Sequence, residues 1–202
     1  MIDYISIFTL FFAVIDPVGT MPVFIAVTSQ FDEKMKRKIA LQATLFSALI
    51  LVFFIIAGEA ILNAIGIPLS AFQVAGGIIL FLFALSMIFG ESKPDEELKM
   101  AKNGTDTSIF PLAVPSIASP GAMLAAVLLT DNTRYNVWEQ VQTAGVVLFV
   151  LLITLVLMLI SSPIIRFIGL SGASVISRVM GMIIASVAAN NVLSGINSYY
   201  GL

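Results

Sequence analysis

Six stretches of this sequence are long and apolar enough to cross a bilayer, and this constrains the fold more than any other feature. A spanning helix needs about 20 mostly apolar residues. Residues 39–63, 71–90, 141–162 and 174–196 meet that need without interruption, while residues 4–30 and 108–130 are long enough but broken by Pro and Gly. Between them lie DEKMKRK (32–38), the polar stretch 91–107 and DNTRYNVWEQ (131–140). Only 11% of the 202 residues are charged, against about a quarter in a soluble domain. The expectation is an all-α transmembrane protein, residues 1–202 forming a single transmembrane domain with the lipid bilayer as its main solvent. The first run has no positively charged leader and no small-residue cleavage site, so it reads as a retained span rather than a signal peptide.

The basic residues test the count of six. Lys34, Lys36, Arg37, Lys38, Lys93, Lys99, Lys102, Arg166 and Arg178 all fall after spans one, three and five, whereas Arg134 alone falls on the other side. A miscounted span would scramble that alternation. By the positive-inside rule, the chain is expected to be multi-pass in the cytoplasmic (cell inner) membrane, with both termini outside. Trp138 and Tyr135, and Tyr199 and Tyr200 at the C-terminal end, read as interfacial anchors.

The composition also excludes chemistry. With no Cys and no His, disulfides, iron–sulfur clusters, Cys/His zinc sites and Ser-His-Asp catalysis are ruled out; no cofactor and no metal is expected. There is no basic stripe for nucleic acid and no Walker-type phosphate loop for ATP. An intramembrane enzyme would have only Ser116 and Ser119 near Asp16 to work with, so the chain is not expected to be an enzyme. A channel would need a ring or constriction along a continuous pore, for which the sequence has no marker.

The chain resembles itself at an offset near 103 residues. Ile15-Asp16-Pro17-Val18-Gly19 faces Ala118-Ser119-Pro120-Gly121, Ile65-Gly66 faces Ile168-Gly169, and Gln73-Val74-Ala75-Gly76 faces Arg178-Val179-Met180-Gly181. The halves, 4–90 and 108–196 on either side of a polar cytoplasmic loop 91–107, each hold three spans. An odd number makes the second half enter from the opposite face, the inverted-repeat design of secondary transporters.

Helix breakers concentrate at matching points of the two halves, in DPVGTMP (16–22) and PLAVPSIASPG (111–121). Pro removes a backbone donor and Gly weakens the helix, so the first and fourth spans are expected to be broken. Asp16 lies about 18 Å and Ser119 about 16 Å into their spans at 1.5 Å per residue, near the middle of a core about 30 Å thick. A mid-membrane break supplies free N–H groups suited to a carboxylate and free carbonyls suited to an ammonium or other cation. A zwitterionic amino acid carries both charges, and Gly19, Gly121 and Ala122 leave room for only a short side chain. The candidate substrate site is therefore Asp16, Pro17, Val18, Gly19 and Thr20 with Ser119, Pro120, Gly121 and Ala122. Asp16 has two readings that can coexist: cap of the second half-helix, or ligand for the ammonium and carrier of a coupling proton. Glu59, near a span end, and the repeat-matched pair Gln73 and Arg178 are candidates for gating or bracing. Gly76-Gly77, Gly145, and Gly181 with Ala185 and Ala189 are expected to let helices pack closely.

At these residues the chain resembles the MarC family, also described as small neutral amino acid transporters. The stretches that carry the resemblance are IDPVGTMPVF (15–24), GEAILNAIGI (58–67), FQVAGGIILFLFAL (72–85), FPLAVPSIASPGA (110–122) and SRVMGMIIA (177–185), in order over nearly the whole chain. The resemblance implies two inverted three-span halves and transport of glycine- or alanine-sized amino acids coupled to protons or another cation. Asp16, Gly19, Pro120 and Gly121 match its motif positions. Gln73 stands where relatives commonly have Arg, and Ser119 where they commonly have Gly, which adds a hydroxyl to the candidate pocket. The alternatives are an exporter of other small metabolites, since orientation does not set the direction of transport, or a channel on the same scaffold.

Overall fold

The computed structural model describes residues 3–89, 108–132 and 134–201; the expected loop 91–107, with Lys93, Lys99 and Lys102, lies outside them. Among the described residues all regular structure is helical: α1 (Tyr4–Ile15), α2 (Pro17–Thr28), α3 (Glu33–Ala64), α4 (Leu69–Phe89), a wide-turned segment α5 (Ser108–Ile117), α6 (Pro120–Leu128), α7 (Val137–Leu159) and α8 (Ser161–Tyr200). Five helices are long and apolar enough to cross a bilayer when Tyr4–Thr28 is taken as one, and α5 with α6, bent by 48°, makes a sixth.

Helix ends depart from the sequence reading where polar residues extend them. The segment DEKMKRK is not a loop. Asp32 accepts the N–H of Met35 at 2.9 Å as an N-cap, so Glu33 through Lys38 form the first turns of α3. Likewise Asn136 and Glu139 form a reciprocal capping box that starts α7 at Val137, four residues before the apolar run begins. At the other extreme, α8 runs from Ser161 to Tyr200 but is interrupted at Gly169, whose φ of 72° and ψ of 168° are not helical. Gly66, between α3 and α4, also has φ 72°. Only glycine adopts such angles without a Cβ penalty.

In the bundle, α4 lies along α8, α3 packs on α7, α5 and α6, α2 packs on α7 and α8, and α6 touches α1 and α4. The α4–α8 pair is antiparallel, because a Cβ on Gly77 would meet Val192 and Ala188 while one on Gly195 would meet Val74 and Ser70. Small residues set this spacing, as membrane helix pairs require when lipid gives no hydrophobic drive. The buried stripe on α8 runs Ala173, Ser177, Gly181, Ile184, Ala188 and Gly195. Ala185 and Ala189 stand off it, half-buried and exposed. Gly145 does not mediate close packing either: it is exposed, and a Cβ there meets nothing within 4 Å.

These positions predict opposite effects on stability. A Cβ on Gly195 would lie 3.0 Å from the Ser70 carbonyl oxygen, and backbone cannot yield as a side-chain tip can. Gly195→Val should therefore cost about 1–3 kcal/mol through overpacking. Gly145→Ala should stabilise by up to about 1 kcal/mol through helix propensity. Thermal unfolding in detergent checks both; a lower Tm for Gly145→Ala than for Gly195→Val would contradict this packing.

Candidate functional site

Asp16 is the single residue between α1 and α2, and its geometry follows from its residue type. It takes the left-handed conformation, φ 49° and ψ 68°, which Asp tolerates because its short carboxylate can hydrogen-bond locally. Here Oδ1 accepts the N–H of Gly19 at 3.0 Å, capping α2, whose first residue Pro17 has no N–H to lose. The Asp16 N–H still donates to the Phe12 carbonyl at 3.0 Å, and its carbonyl still accepts from the Thr20 N–H at 3.0 Å. Helical hydrogen bonding thus runs through Asp16, and Tyr4–Thr28 counts as one span with no unwound turn.

Ser119 occupies the same place before α6. It is extended (φ −70°, ψ 158°), precedes Pro120 and accepts the Ala122 N–H at 3.2 Å. Its hydroxyl also donates to the Val14 carbonyl at 3.3 Å, an oxygen two residues before Asp16. Upstream, Phe110 and Val114 are extended rather than helical, each preceding a proline, as the clash of a Pro ring with its predecessor dictates.

Three further hydroxyls complete the junction. Ser177 of α8 donates to Asp16 Oδ2 at 2.7 Å. Thr20 Oγ1 lies 3.0 Å from the Asp16 carbonyl and 3.2 Å from Ser116 Oγ. Asp16, Thr20, Ser116, Ser119 and Ser177 are all at most 1% exposed. A carboxylate, four hydroxyls and two capped helix starts from both halves of the chain therefore meet in one buried cluster. An ionised carboxylate at this depth costs roughly 2.5–3.5 kcal/mol on insertion scales, and the Gly19 N–H and Ser177 O–H offset part of that through charge-assisted hydrogen bonds.

The remaining candidate residues divide. Gly19 is tightly enclosed: a Cβ there would overlap Asp16 Oδ2 and lie 2.5 Å from Ser177 Oγ. A Cβ on Gly121 would lie 2.5 Å from Leu80 and 2.8 Å from Val14. Both glycines are occupied by close packing and border no open space at the junction itself. Pro17 and Ala122 are buried, Val18 is half-buried, and Pro120 is exposed. Pro120 and Gly121 instead border an apolar hollow of about 230 Å³, open on one side, between α3, α4 and α6, with Phe54, Gly76 and Leu124 among its walls.

Glu59, Gln73 and Arg178 stand outside the cluster. Glu59 accepts the Asn132 N–H at 2.7 Å and ties the turn after α6 to α3. Arg178 donates to the Ile88 carbonyl at 3.3 Å, holding the last turn of α4. Gln73 is buried on α4 and makes no hydrogen bond to the cluster. Among the described residues, no group of three His, Cys, Asp or Glu side chains could hold a metal ion.

The model for MarC family integral membrane proteins matches residues 1–200. The chain belongs to the MarC family. It is a multi-pass integral membrane protein, and its relatives in that family span distant organisms. A UPF0056 membrane protein of Archaeoglobus fulgidus is 32% identical over 196 residues, 96% of this chain and 92% of the relative. One from Buchnera aphidicola subsp. Schizaphis graminum is 30% identical over 198 residues, covering 98% and 93%. One from Methanocaldococcus jannaschii is 30% identical over 196 residues, covering 96% and 95%. No solved structure matches.

Sequence reasoning about this MarC-family chain found Asp16, Thr20 and Ser119 but left Ser177 out and cited Ser116 only as part of a conceivable enzyme. A signal for Ser177 existed. It sits four residues before Gly181 on the small-residue face of α8, while Arg178, the repeat-matched candidate, is about 100° further round the helix and exposed.

Proposed function

We propose that this MarC-family protein is a secondary transporter of small neutral amino acids of the glycine and alanine class, coupled to protons. The observation that carries the reading is the buried junction of Asp16 with the two helix starts at Pro17 and Pro120. In this reading the helix starts hold the substrate carboxylate, and Asp16 Oδ2, now bound by the Ser177 hydroxyl at 2.7 Å, takes the ammonium. Asp16 also carries the coupling proton; among the described residues it is the one ionisable side chain buried at mid-span. The close packing of Gly19 and Gly121 then corresponds to a closed carrier, with room gained when the halves part.

An inverted repeat with broken first and fourth spans would supply that motion by rocking one half against the other. Several features favour it. Exchanging the halves exchanges the contacts of α3 with α5 and α6 for those of α7 with α1 and α2, and leaves the α3–α7 and α4–α8 pairs as they are. The matched glycines Gly66 and Gly169 share φ 72°. Asp16 and Ser119, each followed by proline, cap the N–H of the third residue beyond them. On this reading the basic end of the bundle faces the cytoplasm and both termini lie outside.

The test is uptake of labelled glycine into proteoliposomes under an imposed proton gradient. Saturable, gradient-driven uptake is expected, with strong competition by alanine and serine and little by leucine. Flux that does not saturate, or equal competition by all three, would contradict the proposal.

A further inference from the structure

A polar recess at the basic end of the bundle has the features of an anion site. It lies where α2 and α7 end and α3 and α8 begin, has a volume of about 50 Å³, and is lined by Glu33, Lys36, Arg37, Ser161 and Ser162 over an apolar floor. A water needs about 10–15 Å³ by this measure, so the recess accommodates a group of phosphate size. A shallower hollow of about 450 Å³ adjoins it through Ser162 and is lined by Pro163 and Arg166.

The side chains that line it have donors to spare. Ser161 is 2% exposed, yet its hydroxyl has no hydrogen-bond partner among the described residues. It begins α8, which opens without a side-chain cap, and helix N-termini favour negative charge. Arg37 has no ion pair or hydrogen bond among the described residues. Lys36 Nζ is 2.9 Å from Glu33, whose side chain is 79% exposed, so that pair is weak and readily exchanged.

Depth indicates the source of the anion. The 32 residues of α3 rise about 48 Å at 1.5 Å per residue, well beyond a hydrocarbon core of about 30 Å. The surplus turns carry Lys34, Lys36, Arg37 and Lys38 and stand at headgroup level, where basic pockets between helices bind anionic lipid. We propose that this recess binds the phosphodiester of an anionic phospholipid. Arg37 and Lys36 contact its oxygens, Ser161 donates its hydroxyl, Glu33 is displaced from Lys36, and the rest of the headgroup lies in the hollow beside Arg166.

The test is thermal unfolding of the full chain in neutral detergent, titrated separately with dioleoylphosphatidylglycerol, dioleoylphosphatidylcholine and inorganic phosphate. Phosphatidylglycerol should raise Tm saturably and phosphatidylcholine should not. Arg37→Ala should weaken the apparent affinity for phosphatidylglycerol about tenfold, the scale of a lost charged hydrogen bond. Arg37→Lys and Ser161→Ala should fall between it and the unaltered protein. Lys38→Ala, outside the recess, should change little. Equal weakening by Lys38→Ala and Arg37→Ala would overturn the site in favour of unspecific surface charge. Full stabilisation by inorganic phosphate, dependent on Arg37, would overturn the lipid and assign the recess to free phosphate.

Discussion

Asp16→Asn should reduce proton-driven glycine uptake by about tenfold to a hundredfold while leaving the fold intact. The amide keeps an oxygen to accept the Gly19 N–H, now bound by Oδ1 at 3.0 Å, and its NH2 group, in the place of Oδ2, can donate to Ser177 Oγ instead of accepting from it. What is lost is the charge that would meet the substrate ammonium, and a hydrogen bond to a charged group contributes about 1.5–3 kcal/mol, equal to about ten- to a hundredfold in affinity. On the proposed mechanism the site for a coupling proton would be lost as well, so an imposed gradient should no longer accelerate what uptake remains. Uptake by reconstituted protein at two gradients, with Tm measured in parallel, checks both parts. Asp16→Ala should behave worse in both, because removing an N-cap acceptor costs about 1 kcal/mol on top of the lost charge.

Gly19→Ala should abolish uptake through a single methyl group. Its Cβ would occupy the space now held by Asp16 Oδ2 and lie 2.5 Å from Ser177 Oγ, so the carboxylate has to leave its position. The hydrogen bond from Ser177 that ties α8 to Asp16 breaks in the process. Overpacking of this kind costs about 1–3 kcal/mol, which a protein with measurable Tm can survive. Because Gly19→Ala and Asp16→Asn act on the same contact, the double variant should be less impaired than the sum of the two. Wild-type uptake by Gly19→Ala would mean that the Asp16–Ser177 contact has no part in transport.

Much of this architecture is legible in the residues because the bilayer leaves few options. Apolar runs of spanning length must be helices, and Asp-Pro at position 16 and Ser-Pro at position 119 mark N-caps followed by a residue without an N–H. Those two junctions were therefore visible as local chemistry. Helix ends were less so: hydropathy stops α3 at Ile39, whereas Asp32 capping carries helix six residues further. Contacts across the bundle were least visible. A serine in an apolar helix has no periodic signature of its own, so Ser177 emerges only once α8 is seen to bring it against Asp16. Gly145 shows the converse, since a glycine reads as a packing site until its neighbours are known.

Solid-state NMR of the protein in lipid, saturated with ¹⁵N-glycine and carrying ¹³C-labelled aspartate, tests the binding geometry directly. Transfer from the glycine nitrogen to a carboxyl carbon within about 4 Å, the reach of an ion pair, is expected, and it should vanish in Asp16→Asn. Saturating glycine that gives no such contact, or one that survives Asp16→Asn, would place the amino acid elsewhere and contradict a site at the junction of the two helix starts.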